Sequence, residues 1–239
     1  MLHIIGTITE KFGKTNDKNN IMRECRELFY KSDFEERLNE NVHIICFTNG
    51  IFDSNTMTFR DGTPEDMCSM TTGIPLLPLT EEEETYKRDI LQRMIYDPLG
   101  EGVGDYFLLN IALALVGKRM KRIMFGLGTS DAGKSTICKA TLNSFADYAY
   151  TFNAGCLAHS NMTQDEAQRM RWTLLIAKKR IIFSNEMKSN ASLDGEMIKK
   201  ISGGDHIIGR GHCQNEVKYL LDFLTVCMAN DLPKITPVW

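Results

Sequence analysis

The amino-acid sequence predicts an α/β protein with a mainly parallel sheet that is covered by helices on both faces. From Arg122 onward, short apolar runs alternate with helical patterns, as in repeated strand and helix units. These runs are almost continuously apolar, which is typical of strands buried on both faces. Of all residues, 43% are hydrophobic and 25% are charged, which is the balance of an ordinary globular chain and excludes disordered and collagen-like classes.

The second half of the chain supplies the elements of this sheet. Strands are predicted at 123–127, 148–152, 180–184 and 221–228, helices at 135–145, 163–177 and 193–201, and a hairpin at 207–219. This alternation of strands and helices predicts a core domain at 121–239.

The first half is predicted to form two smaller parts. A strand at 43–47, a turn at Asn49-Gly50 and a return strand at 51–60 form a hairpin. Helices are predicted at 84–96 and 106–116, with Thr80 as the N-cap of an acidic first turn. Because a Pro-rich turn at 73–78 separates the two parts, we expect an N-terminal module at 1–79 and a helical layer at 80–120.

Charge is distributed unevenly along the chain. Residues 1–120 contain 13 basic and 20 acidic side chains, whereas residues 121–239 contain 15 basic and 11 acidic ones. A polyanionic partner and a solvated basic face both explain the basic excess. It includes Lys178, Lys179, Arg180, Lys188, Lys199, Lys200 and Arg210.

Several classes of protein are not indicated. Seven scattered cysteines without CxxC spacing argue against a zinc ribbon and a disulfide framework. The longest apolar stretch, at 107–116, has about half of the roughly 20 residues that a membrane-spanning helix needs. No secretory signal is recognisable at the start of the sequence, so we expect the protein to stay inside a cell and away from membranes.

The most specific motif is a complete GxxxxGK[ST] loop between a predicted strand and a predicted helix. Its glycines allow backbone N–H groups to surround phosphate oxygens, and the following helix N-terminus adds partial positive charge. Lys134 is expected to reach the β and γ phosphates and Ser135 to bind Mg²⁺, which predicts nucleoside triphosphate binding. The loop consists of Gly128, Thr129, Ser130, Asp131, Ala132, Gly133, Lys134, Ser135 and Thr136.

Two polar side chains follow later strands of the same sheet. Glu186 comes directly after the strand at 180–184, where a carboxylate can polarise the attacking water and contribute to the Mg²⁺ site. Asn185 occupies the position where the corresponding strand of P-loop NTPases, the Walker B strand, usually has an aspartate. Asn230 follows the last strand and is expected beside the γ phosphate, where an amide can hydrogen-bond both phosphate and water.

Four motifs occur in a characteristic order: the GxxxxGK[ST] loop, the strand that ends in Glu186, IKxxxGGDxxxxR at 198–210, and the strand that ends in Asn230 with Leu232-Pro233. In this order, residues 122–234 resemble viral superfamily 3 helicases, especially the poxvirus-like primase-helicases of large DNA viruses. Residues 41–66 also resemble the small module that precedes the motor in that branch.

The resemblance implies an AAA+-like P-loop NTPase that hydrolyses ATP with Mg²⁺ in viral DNA replication, in the host cytoplasm or at a viral replication site. It implies a hexameric ring in which a β-hairpin loop tracks single-stranded DNA. The DNA-binding residues carried over are Lys199, Lys200, Asp205 and Arg210. A ring ATPase also needs an arginine from a neighbouring subunit, and none follows Arg210 in this sequence. We therefore expect a fragment or split gene product with little turnover by itself.

Two other functions remain open from the sequence. A nucleotide- and DNA-binding module with little turnover fits the same motifs. A P-loop small-molecule kinase fits the loop, but it leaves the GGDxxxxR segment and the Asn230 strand unexplained.

Overall fold

The computed structural model describes residues 12–118, 121–159, 169–187, 192–204, 206–210 and 216–236. Packing divides the chain into two compact units, Met1–Glu40 and Asn41–Trp239. The first unit contains helix α1 (Thr15–Phe29), which buries none of its side chains, and the single-turn helix α2 (Phe34–Arg37). The boundaries expected at residues 79 and 120 stay a prediction.

The second unit begins with a three-stranded antiparallel sheet. Strands β1 (Ile44–Phe47), β2 (Gly50–Asp53) and β3 (Thr58–Arg60) pair in that order. A Cβ at Gly50 would lie 2.7 Å from the Arg60 carbonyl oxygen, so the tight turn before β2 requires glycine.

The single return strand predicted at 51–60 is wrong, since β2 and β3 are separate strands. The side chain of Asp53 accepts a hydrogen bond from the Asn55 N–H group (2.9 Å), and Met57 has a φ of +54°. This local turn ends β2, because an Asp side chain that binds the backbone two residues on competes with strand pairing.

Two helices connect this sheet to the core. Helix α3 (Glu81–Leu91) begins with a capping box, in which Thr80 Oγ1 accepts from the Glu83 N–H group (3.3 Å) and the Glu83 carboxylate accepts from the Thr80 N–H group (2.8 Å). The predicted N-cap is therefore confirmed. A π-helical turn (Gln92–Tyr96) and a helical turn (Asp97–Leu99) lead into helix α4 (Glu101–Leu115).

The core contains a four-stranded sheet in which all strands are parallel. Its strands are β4 (Ile123–Leu127), β5 (Ala149–Phe152), β6 (Ile181–Ser184) and β10 (Leu224–Ala229), in the spatial order β4-β10-β6-β5. This confirms the predicted α/β class with a parallel, NTPase-like sheet. Because parallel strands end at the same edge, the segments that follow β4, β6 and β10 meet there.

Both faces of this sheet are buried, as the continuously apolar strands predicted. Along β6, Ile181 and Phe183 face one cluster while Ile182 faces the other. Helix α4 and helix α5 (Lys134–Phe145) cover the first face together with β1. The second face packs against helix α6 (Gly195–Gly203) and the start of the later hairpin.

Two small strand pairs complete the described core. Strands β7 (Ser192–Asp194) and β11 (Lys234–Thr236) are parallel, with a hydrogen bond of 2.6 Å between the hydroxyls of Ser192 and Thr236. Strands β8 (His206–Arg210) and β9 (Glu216–Leu220) form the predicted antiparallel hairpin.

Some predicted elements differ from the structure. The helix predicted at 163–177 lies partly outside the described residues, and Arg171–Leu175 forms a 3₁₀ turn rather than an α-helix. The helix predicted to begin at Leu193 begins at Gly195, because β7 precedes it. No helix in the described part of the chain has the length and apolarity to cross a membrane.

The N-terminus of α6 provides a test of one ion pair. Asp194 caps α6 by accepting from the Glu196 and Met197 N–H groups, and its other oxygen pairs with Arg169 Nη2 at 2.6 Å. Burial raises the pKa of Asp194, but Arg169 and the cap N–H groups outweigh it, so the pKa lies below its ordinary value.

We expect Asp194→Asn to keep the cap, lose the ion pair and lower the free energy of unfolding by about 1 kcal/mol at pH 7. Because the folded-state pKa is lowered, this stabilisation is present above the unfolded pKa of about 3.9 and is lost as the pH falls through the folded value. The difference from wild type, measured by denaturant unfolding, should therefore shrink below about pH 4. Asp89→Asn, which removes an exposed pair with Arg93, is the control.

Candidate functional site

The GxxxxGK[ST] loop joins the end of β4 to the start of α5, as its sequence context predicted. Gly133, at the N-cap of α5, has a φ of +83°, a left-handed conformation that favours glycine. A Cβ at Gly128 would lie 3.1 Å from the Ala132 Cβ, so a larger residue there would require the loop to shift by a few tenths of an ångström. The loop therefore wraps tightly around the space in front of the α5 N-terminus, where N–H groups and helix dipole favour an anion.

Lys134 points back into this loop. Its Nζ donates to the carbonyl oxygens of Gly128 and Thr129, the latter at 2.8 Å. It also donates to Asn230 Oδ1 at 2.8 Å. The structure thus brings together two residues that the sequence assigned independently to the γ phosphate.

Asn230 reaches Lys134 because β10 lies next to β4. The two strands are in register up to the pair Ala229 and Leu127, and the Gly128 N–H group donates to the Ala229 carbonyl at 3.3 Å. The residue after β10 is therefore fixed directly beside the residue that opens the loop.

Glu186 lies at the same edge, at the end of β6. It is exposed and lines an open cavity of about 520 Å³ together with Asn153 and Asn185. The following Met187 N–H group donates to the Met228 carbonyl at 3.0 Å, which ties this segment to β10. Within the described residues, Glu186 has no ion-pair partner within 4.0 Å, so its carboxylate is available to water.

Asn185 has a structural role that the sequence did not reveal. Its Oδ1 accepts a hydrogen bond from the Ala154 N–H group at 2.7 Å, and its own N–H group donates to the Phe152 carbonyl at 2.9 Å. The amide is directed at the end of β5. Because the Asn185 side chain is bound there, Glu186 is the residue at the end of β6 that offers a carboxylate.

No group of three or more His, Cys, Asp or Glu side chains in the described ranges could hold a metal ion by itself. A site made of Ser135 and Glu186 has too few protein ligands for a dedicated metal cage. In nucleotide sites, Mg²⁺ is commonly held by one or two protein oxygens together with waters and substrate phosphates.

An apolar cavity of about 470 Å³ adjoins the loop on the side of α4. Val103 and Phe107 of α4 form one wall, Met124 of β4 and Ile137 of α5 form others, and Lys134 borders it. The sequence analysis missed this cavity, since it depends on how α4 packs against the sheet.

The segment expected to contact DNA consists of α6 and the β8–β9 hairpin, and α6 packs against the second face of the sheet. On α6, Lys199 is exposed and Lys200 is half-buried. Asp205 and residues 211–215 lie outside the described residues. Arg210 ends β8, where its backbone pairs in register with Glu216.

The sequence counts Arg180 in the basic excess that could contact a polyanion, and the structure shows that this is wrong. Its side chain is only 5% exposed, and its guanidinium donates to the carbonyl oxygens of Ile44 (2.6 Å) and Leu115. It also lies 4.6 Å from the centre of the Tyr148 ring. Arg180 therefore joins the N-terminal hairpin to the core and cannot contact a polyanion.

The chain is similar to viral proteins with helicase names. A family model described as D5 N terminal like matches residues 5–94. The candidate helicase V13 of Sputnik virophage is 34% identical over 196 residues, which are 81% of this chain and 25% of that protein. The candidate helicase L207/L206 of Acanthamoeba polyphaga mimivirus is 25% identical over 237 residues, or 97% and 24% of the two chains.

Among solved structures, the C-terminal region of NrS-1 aligns at 13% identity with a TM-score of 0.44, covering 66% of this chain and 33% of that one. This chain spans about a quarter of the length of the two viral relatives.

A parallel sheet with a GxxxxGK[ST] loop at its carboxyl edge defines an α/β NTPase-like protein. The family match over residues 5–94 and the viral relatives show that the chain is similar to D5-like viral helicases, in agreement with the resemblance drawn from its four motifs.

Proposed function

We propose that the chain is the motor part of a superfamily 3 helicase, which hydrolyses ATP with Mg²⁺ to move along single-stranded DNA in viral replication. The observation that supports this most is the 2.8 Å contact between Lys134 Nζ and Asn230 Oδ1. In this proposal Lys134 is the cation that binds phosphate and Asn230 is the amide that senses it, and their contact at the sheet edge supports both roles.

In this proposal, the triphosphate takes over the Lys134 contacts. The ammonium exchanges the Gly128 and Thr129 carbonyls for β and γ phosphate oxygens, which are stronger, charged acceptors. Asn230 stays within reach of both the ammonium and the γ phosphate. Loss of the γ phosphate on hydrolysis then changes the hydrogen bonds of Asn230.

Ser135, in the first turn of α5, and Glu186 would hold Mg²⁺, which would offset the negative charge of the phosphates. Glu186 accepts a proton from the attacking water, and its exposed position leaves room for that water. The apolar cavity next to Val103 and Phe107 is proposed to hold the adenine base, which is apolar on both faces.

The DNA contacts are proposed on α6 and the β8–β9 hairpin. Lys199 and Lys200 bind backbone phosphates, Asp205 and Arg210 contribute to the DNA-binding set, and the hairpin enters the pore of a hexameric ring. Contacts of this kind neutralise phosphates and release counterions, so they give salt-dependent affinity with little sequence preference.

Phosphate release tests the proposed function. Its rate is measured with and without single-stranded DNA, for this chain and for a longer chain that extends past Trp239. A motor predicts DNA-stimulated release in the longer chain. Nucleotide binding without release in either chain would instead support a binding module, and phosphorylation of a small acceptor would support a kinase.

The lysines of α6 supply a second test. We expect Lys199→Ala combined with Lys200→Ala to weaken single-stranded DNA binding and to lower the slope of log affinity against log salt by roughly 0.7 for each lost contact. Nucleotide affinity should stay unchanged. The measurement is a fluorescence anisotropy titration at several salt concentrations.

Its control is Lys87→Ala combined with Arg88→Ala, which removes the same charge from two exposed positions of α3. An equal slope in wild type and the α6 variant would show that Lys199 and Lys200 only face solvent and do not contact DNA.

A further inference from the structure

Two cysteines lie together at a cavity in the N-terminal part of the second unit. Cys46 belongs to β1 and Cys68 to the loop after the 3₁₀ turn Pro64–Asp66, and both residues contact the hydroxyl group of Tyr148. Both are half-buried and line an open cavity of about 470 Å³. Both residues therefore border a space that a small solute can enter.

Tyr148 holds this pair in place from the core. Its hydroxyl oxygen accepts from the Cys46 N–H group at 2.8 Å and lies 3.7 Å from Cys68 Sγ. The Tyr148 side chain is fully buried, so the position of its hydroxyl is fixed by packing. When protonated, the Cys68 thiol donates to the Met70 carbonyl at 3.3 Å.

Arg180 gives the site its electrostatic character. Its guanidinium is bound by two carbonyl oxygens and stacked on Tyr148, and no carboxylate in the described ranges forms an ion pair with it. A buried cation lowers the free energy of a nearby anion. Cys68 is a group at this place that can become an anion, and the positive charge of Arg180 favours its thiolate.

We propose that Cys68 is a reactive thiolate and Cys46 its resolving thiol, so that a low-molecular-weight disulfide of the glutathione type oxidises the two to an internal disulfide. The Cys68 thiolate attacks one sulfur of the small disulfide, whose S–S bond breaks and releases one small thiolate. The Cys46 thiol then loses its proton and attacks the Cys68 sulfur, which releases the second small thiol. Two protein thiols are oxidised, and the small disulfide is reduced to two thiols.

The charges around the pair assign these two roles. The neighbouring Cys46 thiol lowers the pKa of Cys68 against the opposing effect of burial, with Tyr148 and Arg180 adding to the lowering. The Cys68 sulfur and burial in turn raise the pKa of Cys46.

Asp66 reinforces the protonation of Cys46. Arg60 holds the pKa of Asp66 below its ordinary value, so its carboxylate is charged near Cys46. That negative charge disfavours a Cys46 thiolate. Cys46 thus keeps its proton while Cys68 loses its own.

Alkylation of the reduced wild-type chain is the first test. Iodoacetamide is added between pH 5 and pH 9, and each cysteine is followed by peptide mass spectrometry. Cys68 should show a midpoint below that of an ordinary thiol and react at least about tenfold faster at pH 6 than Cys156, since its larger thiolate fraction outweighs its lower nucleophilicity. Cys156, whose pKa burial raises, is the internal reference.

Oxidised glutathione is the second test. Wild type should lose two thiols and give a linked Cys46 and Cys68 peptide pair, Cys46→Ser should stop at a mixed disulfide on Cys68, and Cys68→Ser should form neither. Equal alkylation rates of Cys68 and Cys156 at pH 6 would overturn the reactive thiolate, whatever the folding of the variants. A mixed disulfide on Cys68 in wild type without the internal link would overturn the role of Cys46.

Discussion

Lys134→Ala is expected to weaken ATP binding by about 10²- to 10³-fold, because the variant loses two charge-assisted hydrogen bonds to phosphate. The effect is large because the loop already holds the ammonium in position through Gly128, Thr129 and Asn230, so little order is lost on binding. Titration of a fluorescent ATP analogue measures it.

Lys139→Ala is the matched control for this variant. Lys139 is exposed on the same helix, so the control makes the same change in net charge away from the loop. It should bind ATP like wild type. Wild-type affinity in Lys134→Ala would remove the basis for nucleotide binding at this loop.

Glu186→Gln is expected to leave ATP affinity unchanged and to slow hydrolysis by about 10²- to 10⁴-fold, the usual contribution of a positioned general base. The amide keeps the shape of the side chain at the end of β6 but cannot accept the proton of the attacking water. Single-turnover hydrolysis of radiolabelled ATP, with the longer chain if this one turns over slowly, separates the chemical step from binding.

Glu196→Gln serves as the control, since Glu196 is an exposed carboxylate in the first turn of α6. Its hydrolysis rate should equal that of wild type. If Glu186→Gln hydrolyses as fast as this control, another group must activate the water.

The sequence predicted the elements whose patterns are local. Strands β4, β6 and β10 are almost continuously apolar, and the loop before α5 has a motif with a direct physical reason, so their positions were correct within a few residues. The chain order also predicted that the ends of these strands would meet. The Lys134 and Asn230 contact follows from that parallel arrangement.

Other features could not be predicted because they depend on tertiary packing. Strands β7 and β11 have three residues each and pair with each other far apart in sequence, and Leu193 of β7 also bridges to Ala158. Arg180 looks like one more basic residue in the sequence, although it is buried against the carbonyls of β1 and α4. Cys46 and Cys68 meet only because the loop after β3 folds back over β1.

In the proposed motor, nucleotide binding at the sheet edge is coupled to single-stranded DNA binding on α6 and the hairpin that follows it. The most direct test is the affinity of this chain for a non-hydrolysable ATP analogue, measured by calorimetry with and without saturating single-stranded DNA. Coupling between the two ligands predicts a change of about fivefold or more, which disappears in the Lys199→Ala and Lys200→Ala variant. Identical affinities with and without DNA in the wild-type chain would contradict the claim.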